Sequence, residues 1–375
     1  MEGEGRSGKL MAMAQQSGVR SFHNDRRNLS GPGEESAKVG SGKSANKTAE
    51  EAEMADEAET FAAHRRRWEY KRGNTCGSFT DTTRLSSMQF THYTPGRMPR
   101  SSFCSTPETL QIFSIKLTRL DCGLEFPLSV YGVVAIRDMV DRNRNILFSR
   151  DISEAQELKQ SDPFLHLIGP SRAILFTDHV GIEIQLRVAG TAGSQDRVLI
   201  SYARRYRGGY GPGVTSLCFK NILCTLELRS QPVKETVQAT ILGVQVTNDD
   251  GSWPLKYGGL VACSPLSGKI MVIDGEITRN IDPPSSQIVL LDSMDKSILK
   301  GDDGYVHLWR QVVSVELRGG LDLVIQAYSE SGDIATETCV RFMTQVCNIS
   351  QKKCTLGDAE VTFTVAWSRV PDDYV

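Results

Sequence analysis

From residue 110 onward the apolar side chains fall on every second position. Phe113, Ile115 and Leu117 alternate with Ser114, Lys116 and Thr118. Ile182, Ile184, Leu186 and Val188 alternate with Glu183, Gln185 and Arg187, and Val313, Val315 and Leu317 with Ser314, Glu316 and Arg318. Val361, Phe363, Val365 and Trp367 keep the same phase against threonine and alanine. One apolar and one polar face is what an antiparallel strand needs to cover a core on one side. Turn residues interrupt the pattern at 141–145, Gly169-Pro170, 249–251, Pro283-Pro284 and Ser331-Gly332. Beyond residue 110 only a short stretch at 153–160 has a helical period. About sixteen strands at this spacing predict two β-sandwiches rather than one large sheet.

Ahead of the strands the period changes. Residues 48–73 read as one charged helix, with Thr48 and Glu51 as a capping box and Gly73 as its stop. Glu50, Glu51, Glu53, Asp56, Glu57 and Glu59 load the first half; Arg65, Arg66, Arg67, Lys71 and Arg72 load the second. That order complements the helix dipole. Met54, Ala58, Phe61, Ala62 and Trp68 make a thin apolar stripe, which predicts an exposed or loosely docked helix. Residues 1–47 are Gly, Ser, Lys, Asn and Glu with almost no aromatic content, and read as a disordered arm. Residues 74–108 read as a linker rich in Ser, Thr and Pro.

The β-rich part looks like one unit written twice. Phe126-Pro127-Leu128 with Tyr131-Gly132 returns as Trp253-Pro254-Leu255 with Tyr257-Gly258. Phe164-Leu165-His166-Leu167 returns as Tyr305-Val306-His307-Leu308, and the match runs without a gap to Ile184-Gln185 and Ile325-Gln326. The expected division is a first β module over 109–232 and a second over 233–370, with a seam between them.

Composition narrows the class. Apolar content of 39% and a net charge of −2 describe a chain with enough apolar mass for cores and no global field toward nucleic acid or anionic membrane. The beginning of the chain has no apolar leader and no run long enough to span a bilayer, so a cytoplasmic or nuclear setting is expected. None of the nine cysteines forms a C-x-x-C pair, and reduced thiols in a reducing compartment are expected.

Candidate chemistry is sparse. Gly40-Ser41-Gly42-Lys43-Ser44 imitates the tail of a phosphate-binding loop, but Ala37 occupies the first glycine's place and no apolar strand precedes it. Arg204, Arg205 and Arg207, set among Tyr206, Tyr210 and glycines, read as a mobile hairpin. Arg65–Arg67 with Lys71 and Arg72 read as a solvated helix end. His166 and His307 occupy matching places in the repeat and suggest a shared structural role. Loop aspartates Asp138, Asp141, Asp249, Asp250, Asp302 and Asp303 raise calcium binding as an alternative. Glu183, Glu227 and Glu316 are strand carboxylates that suit an exposed sheet face, or a hydrolase cleft if two of them converge. No catalytic, cofactor-binding or metal-ligating residue is assigned, and no cofactor is expected.

Longer motifs carry a resemblance. The run from Met88 to Gly96, the run from Leu110 to Leu117, residues 127–133, 141–145 and 161–172, and Ser194-Gln195-Asp196-Arg197 are similar to a cereal-grass family defined by a domain of unknown function. The resemblance covers roughly residues 75–370. Related domains lie C-terminal to the N-glycosylase part of jasmonate-induced ribosome-inactivating proteins. The resemblance implies a plant context with stress or defence as its association, and no site residues. The expected function is a non-enzymatic binding protein with protein partners, and with neither nucleic acid nor a membrane span. The alternatives are a hydrolase acting on nucleic acid or sugar, and a calcium-dependent membrane-docking module.

Overall fold

The computed structural model describes residues 41–83, 104–190, 196–208, 213–248, 251–266, 272–273, 276–277, 287–293, 298 and 300–371. Of the arm expected over 1–47, residues 1–40 lie outside this set. Helix α1 (Ser41–Cys76) is longer at both ends than the 48–73 expected. Thr48 and Glu51 therefore lie inside the helix rather than capping it, and Gly73 is an interior residue. The chain leaves the helix at Gly77, whose φ of +94° is the left-handed conformation that ends helices.

The first half of the β region contains β1 (Cys104–Ser105), β2 (Thr109–Leu120), β3 (Leu128–Arg137), β4 (Asn145–Arg150), β5 (Gln156–Leu158), β6 (Val180–Val188), β7 (Arg197–Tyr206), β8 (Thr215–Lys220) and β9 (Cys224–Val233). They form two antiparallel sheets, ordered β2-β9-β8 and β4-β3-β6-β7, with β5 also paired to β3. Alternate side chains meet between the sheets. Ile115 and Leu117 of β2 and Leu226 and Leu228 of β9 share one apolar cluster with Val130 and Val134 of β3 and Ile182, Ile184 and Leu186 of β6.

The second half contains β10 (Thr236–Thr247), β11 (Gly259–Leu266), β12 (Val272–Ile273), β13 (Glu276–Ile277), β14 (Ile288–Asp292), β15 (Tyr305–Val306), β16 (Val312–Glu316), β17 (Gly320–Tyr328), β18 (Ile334–Met343), β19 (Asn348–Leu356), β20 (Ala359–Ser368) and β21 (Val370–Pro371). Its sheets run β15-β10-β20-β19, with β16 on β10, and β14-β11-β17-β18. A second apolar cluster fills the space between them, from Val237 and Ile241 to Phe363, Val365 and Trp367. The described residues are thus mostly β, one α-helix followed by two antiparallel sandwiches. Strand order corresponds between them: β2-β9-β8 matches β10-β20-β19, and β4-β3-β6-β7 matches β14-β11-β17-β18. Phe164 bridges Lys116 of β2 as Tyr305 pairs with Gln245 of β10.

The sandwiches are joined through buried polar groups. The β2–β9 register slips between Ile112 and Ser114, so Phe113 is a bulge residue. Its side chain joins the second sandwich's core, not the first. The buried Arg310 reaches across to the backbone it leaves behind, donating to the carbonyls of Ile112 (2.5 Å) and Phe113 (3.4 Å). Burial pulls this guanidinium down to a pKa of about 10. Short β1 also pairs with β21, tying the two ends of the β region together.

Candidate functional site

Helix α1 is not loosely docked. Its acidic half is aimed at backbone donors of the first sandwich. Glu53 accepts from the Ile222 N–H (2.7 Å), and Glu57 accepts from the Ser201 N–H (3.1 Å) and from Asn221 (3.3 Å). Glu50 pairs with Arg197. Strand β7 is the edge of its sheet, and edge N–H groups need partners or cover. The helix supplies both. Its contact is polar, which a search for an apolar stripe underrates.

Further along, the contact turns aromatic. Phe61 and Trp68 of α1 are buried with Phe79, which follows the helix within the expected linker. Phe79 meets Trp68 edge-on at 5.6 Å and Phe61 at 6.1 Å. Arg137 and Arg144 lie over the Phe79 ring at 4.5 and 4.7 Å, and Arg137 also covers Trp68 at 4.6 Å. Both guanidiniums bind one carboxylate: Glu183 accepts from Arg137 Nε (2.6 Å) and Arg144 Nε (2.8 Å), with His64 Nε2 at 3.2 Å. Burial alone would raise the Glu183 pKa. The His64 and Arg137 hydrogen bonds and the two arginine charges outweigh it and hold it at about 2. Glu183 lies on the polar phase of β6, so the expectation of an exposed glutamate is corrected: the helix roofs that face, and Glu183 is 2% exposed.

Beside this hub lies a cleft of about 620 Å³, bounded by the basic half of α1, the 138–142 turn and the end of β7. Arg67, Lys71 and Arg72 come from the helix, Arg142 from the turn and Arg205 from β7. Arg205 is in register with Gly181, as Ala203 is with Glu183, so Arg205 lies on the helix-covered face of the sheet. Gly181 leaves the floor open; a Cβ there would meet only Arg137 atoms, at 3.8 Å or more. Among the described residues Arg67, Lys71 and Arg72 have no carboxylate partner, Arg205 feels the charge of the exposed Asp178, and the buried Nε of Arg142 has no hydrogen-bond partner. The acidic wall residue, Asp138, is already held by Arg172 through two hydrogen bonds of 2.6 and 2.8 Å. The cleft therefore concentrates positive charge in a chain of net charge −2. Two basic clusters that read separately in the sequence meet here. Phe79, Arg142 and Gly181 gave no sequence signal for the site.

The remaining candidates do not converge. Glu183 belongs to β6, Glu227 to β9 and Glu316 to β16, three strands in three different sheets. Asp138 and Asp141 are engaged with Arg172, Asp249 and Asp250 lie outside the described residues, and Asp303 is exposed. Among the described residues no three His, Cys, Asp or Glu side chains are grouped as metal ligands. His166 stacks on Trp309 at 4.2 Å across the sandwich boundary while His307 is exposed, so the shared role expected for them does not hold. Residues 41–44 of the glycine-lysine-serine motif are helical and Gly40 lies outside the described residues. All nine cysteines are free thiols, and burial raises those of Cys224 and Cys263 to about 12. A second cavity, about 590 Å³, lies where loops of both sandwiches meet around His166 and Trp309, and its walls mix both charge signs.

Fold and cleft together define a two-sandwich antiparallel β protein with a helix-roofed basic pocket. The chain belongs to the DUF6598 family, a domain of unknown function, which matches residues 109–365. No curated protein matches it. Among solved structures it is similar to human GIVD cytosolic phospholipase A2 in complex with methyl gamma-linolenyl fluorophosphonate, at 9% identity and a TM-score of 0.23. That match covers 72% of this chain and 33% of the phospholipase chain, so this chain spans about a third of its length. It is also similar to the calcium-bound tandem C2 domains of extended-synaptotagmin 2, at 8% identity and a TM-score of 0.24, over 72% of this chain and 99% of that one. These scores lie below the level at which a shared fold is shown. No helix among the described residues is long and apolar enough to cross a membrane.

Proposed function

We propose that the protein is a non-enzymatic binding protein whose working surface is the basic cleft, and that the cleft takes an anionic ligand. One observation carries this: cations from α1, from the 138–142 turn and from β7 line one cavity and outnumber its carboxylates, the one in its wall, Asp138, being already ion-paired from behind with Arg172. Charges held together without partners repel one another, and an anion relieves that repulsion while gaining charge-assisted hydrogen bonds. A binding role, with protein partners beyond the ligand, fits side chains that hold charge but present no nucleophile–base pair. The corresponding strand orders support reading the sandwiches as an internal duplication in which, among the described residues, the first copy carries the helix-roofed site. The resemblance at 75–370 supports a plant setting tied to stress or defence, and the composition supports a cytoplasmic one.

The test is retention of the full chain on an immobilised polyphosphate resin, eluted with salt. Arg67→Gln with Lys71→Gln should elute at clearly lower salt than the parent, with an unchanged melting midpoint. Equal retention of parent and variant would remove the cleft as the binding surface.

A further inference from the structure

Resting on that reading, we infer that the cleft's ligand is a compact, non-aromatic polyphosphate: a phosphorylated polyol or sugar, free or as a lipid headgroup. Charge sets the number of phosphates. Six cations, Arg67, Lys71, Arg72, Arg142, Arg204 and Arg205, line one cavity, with Asp178 close enough to Arg205 to offset part of that charge. Asp178 and the Asp138–Asp141 pair, which share the single Arg172, cancel about two of the six charges, and since a phosphate carries about −1.5 to −2 at neutral pH, roughly two to three phosphates balance the rest. Five of the six are arginines, whose planar forks bind phosphate oxygens two at a time.

Shape sets the size. The cations surround a concavity of about 620 Å³ instead of lying along a ridge. That volume lies within the range of small-molecule sites, roughly 300–1,000 Å³. An extended nucleic-acid backbone would need a track of cations, and the opposite end of α1 is acidic.

The largest aromatic face in the cleft is closed to a stacked base. Single-stranded nucleic acids and nucleotides use open aromatic faces as platforms. The indole in this cleft, Trp68, is 9% exposed, with Arg137 over its face at 4.6 Å and the Phe79 ring against it at 5.6 Å. Its surface is already taken. The cleft offers hydrogen-bond donors and charge, and a ligand made of hydroxyls and phosphates uses both.

The experiment is calorimetric titration of the full chain with inositol hexakisphosphate, with ATP and a single-stranded oligonucleotide as comparators. Sedimentation with vesicles containing a phosphatidylinositol bisphosphate forms the lipid arm. The hexakisphosphate should bind at least about tenfold tighter than ATP, and more weakly as salt rises. Arg67→Gln with Arg205→Gln should weaken it by about tenfold or more, since both side chains are exposed and each removes a charged donor. Gly181→Val keeps every charge and narrows the floor beside Arg137, and should weaken binding severalfold at an unchanged melting midpoint; if that variant fails to fold, the arginine pair decides. Vesicle binding without soluble binding assigns the headgroup as the source, and soluble binding assigns the free form; both support the inference. ATP or the oligonucleotide binding as tightly as the hexakisphosphate, with the same dependence on Arg67 and Arg205, overturns the ligand class and leaves the anion-binding cleft intact. Binding of no anion, or binding indifferent to Arg67, Arg205 and Gly181, overturns both.

Discussion

Gln111 and Gln238 make the same hydrogen bond in opposite directions across the boundary between the sandwiches. Gln111, on β2, accepts from the backbone N–H of Ser314 in the second sandwich at 2.7 Å; Gln238, on β10, accepts from the backbone N–H of Ala173 in the first at 2.7 Å. Both side chains are almost fully buried, 2% and 3% exposed. Each sandwich thus lends one buried amide oxygen to a backbone N–H of the other.

Replacing either glutamine with leucine keeps its bulk and strands a buried N–H. Each of Gln111→Leu and Gln238→Leu should cost about 1–3 kcal/mol in urea unfolding. The two losses should be of similar size if the two positions are equivalent. A large loss at one and none at the other would show that the resemblance between the two contacts is only geometric.

The strands were legible in the sequence and the site was not, for one physical reason. Period-two alternation reports what each strand does with its own core, so Ile182, Ile184 and Leu186 declared themselves. It does not report what covers the polar phase. Glu183 sits on that phase and is buried only because α1 roofs it. The roof is held by Glu53 and Glu57 on backbone N–H groups, and backbone donors have no residue identity to find in a sequence. Phe79 was hidden in a Ser/Thr-rich stretch. Arg67 and Arg205 lie far apart along the chain, and only the docked helix makes them neighbours. Gln111 and Gln238 likewise read as ordinary strand polars until their partners in the other sandwich are seen.

Phe113 gives a test of how tightly the sandwiches are coupled. It belongs to β2 of the first but is buried, 6% exposed, in the core of the second. Phe113→Ala should cost about 3–5 kcal/mol, as for other buried aromatics. Because the cavity opens beyond the boundary, the extra hydrogen exchange should appear in β10 and β20 as well as in β2. Faster exchange confined to the first sandwich would contradict the placement of this side chain.

Acid should loosen the helix roof through Glu183. Its folded pKa of about 2 lies below the ordinary 4.5, so its contribution is present above pH 4.5 and is lost as pH falls from 4.5 toward 2. At 1.36 kcal/mol per unit that contribution is about 3 kcal/mol. Glu183→Gln should flatten this limb of the stability–pH curve, and at neutral pH should cost about 3–5 kcal/mol because Arg137 and Arg144 lose their partner. Glu57 has the opposite sign. Burial raises its pKa, so its contribution favours the docked helix at low pH and is lost as pH rises through the raised value. Glu57→Gln keeps an acceptor for the Ser201 N–H, and at neutral pH should leave stability unchanged or raise it by less than about 1 kcal/mol. Urea midpoints across pH would show whether the two variants diverge in this way.

Phe79 separates packing from cation–π attraction in the same hub. The ring is 1% exposed, touches Phe61 and Trp68 through its edges, and lies under Arg137 and Arg144. Phe79→Leu keeps most of the apolar area and removes the ring's electrostatics, for a loss of about 1–2 kcal/mol. Phe79→Ala removes both and should cost about 3–5 kcal/mol. The larger loss should fall on the attachment of α1, since Phe79 is the body-side anchor for Phe61 and Trp68. Amides at the basic end of the helix should then exchange faster in Phe79→Ala than in Phe79→Leu, with the second sandwich unchanged in both. The cleft's helix wall would swing away with it, so anion retention should follow helix protection across parent, leucine and alanine variants. An alanine variant with a freely exchanging helix and undiminished retention would mean that Arg67, Lys71 and Arg72 need no roof to act.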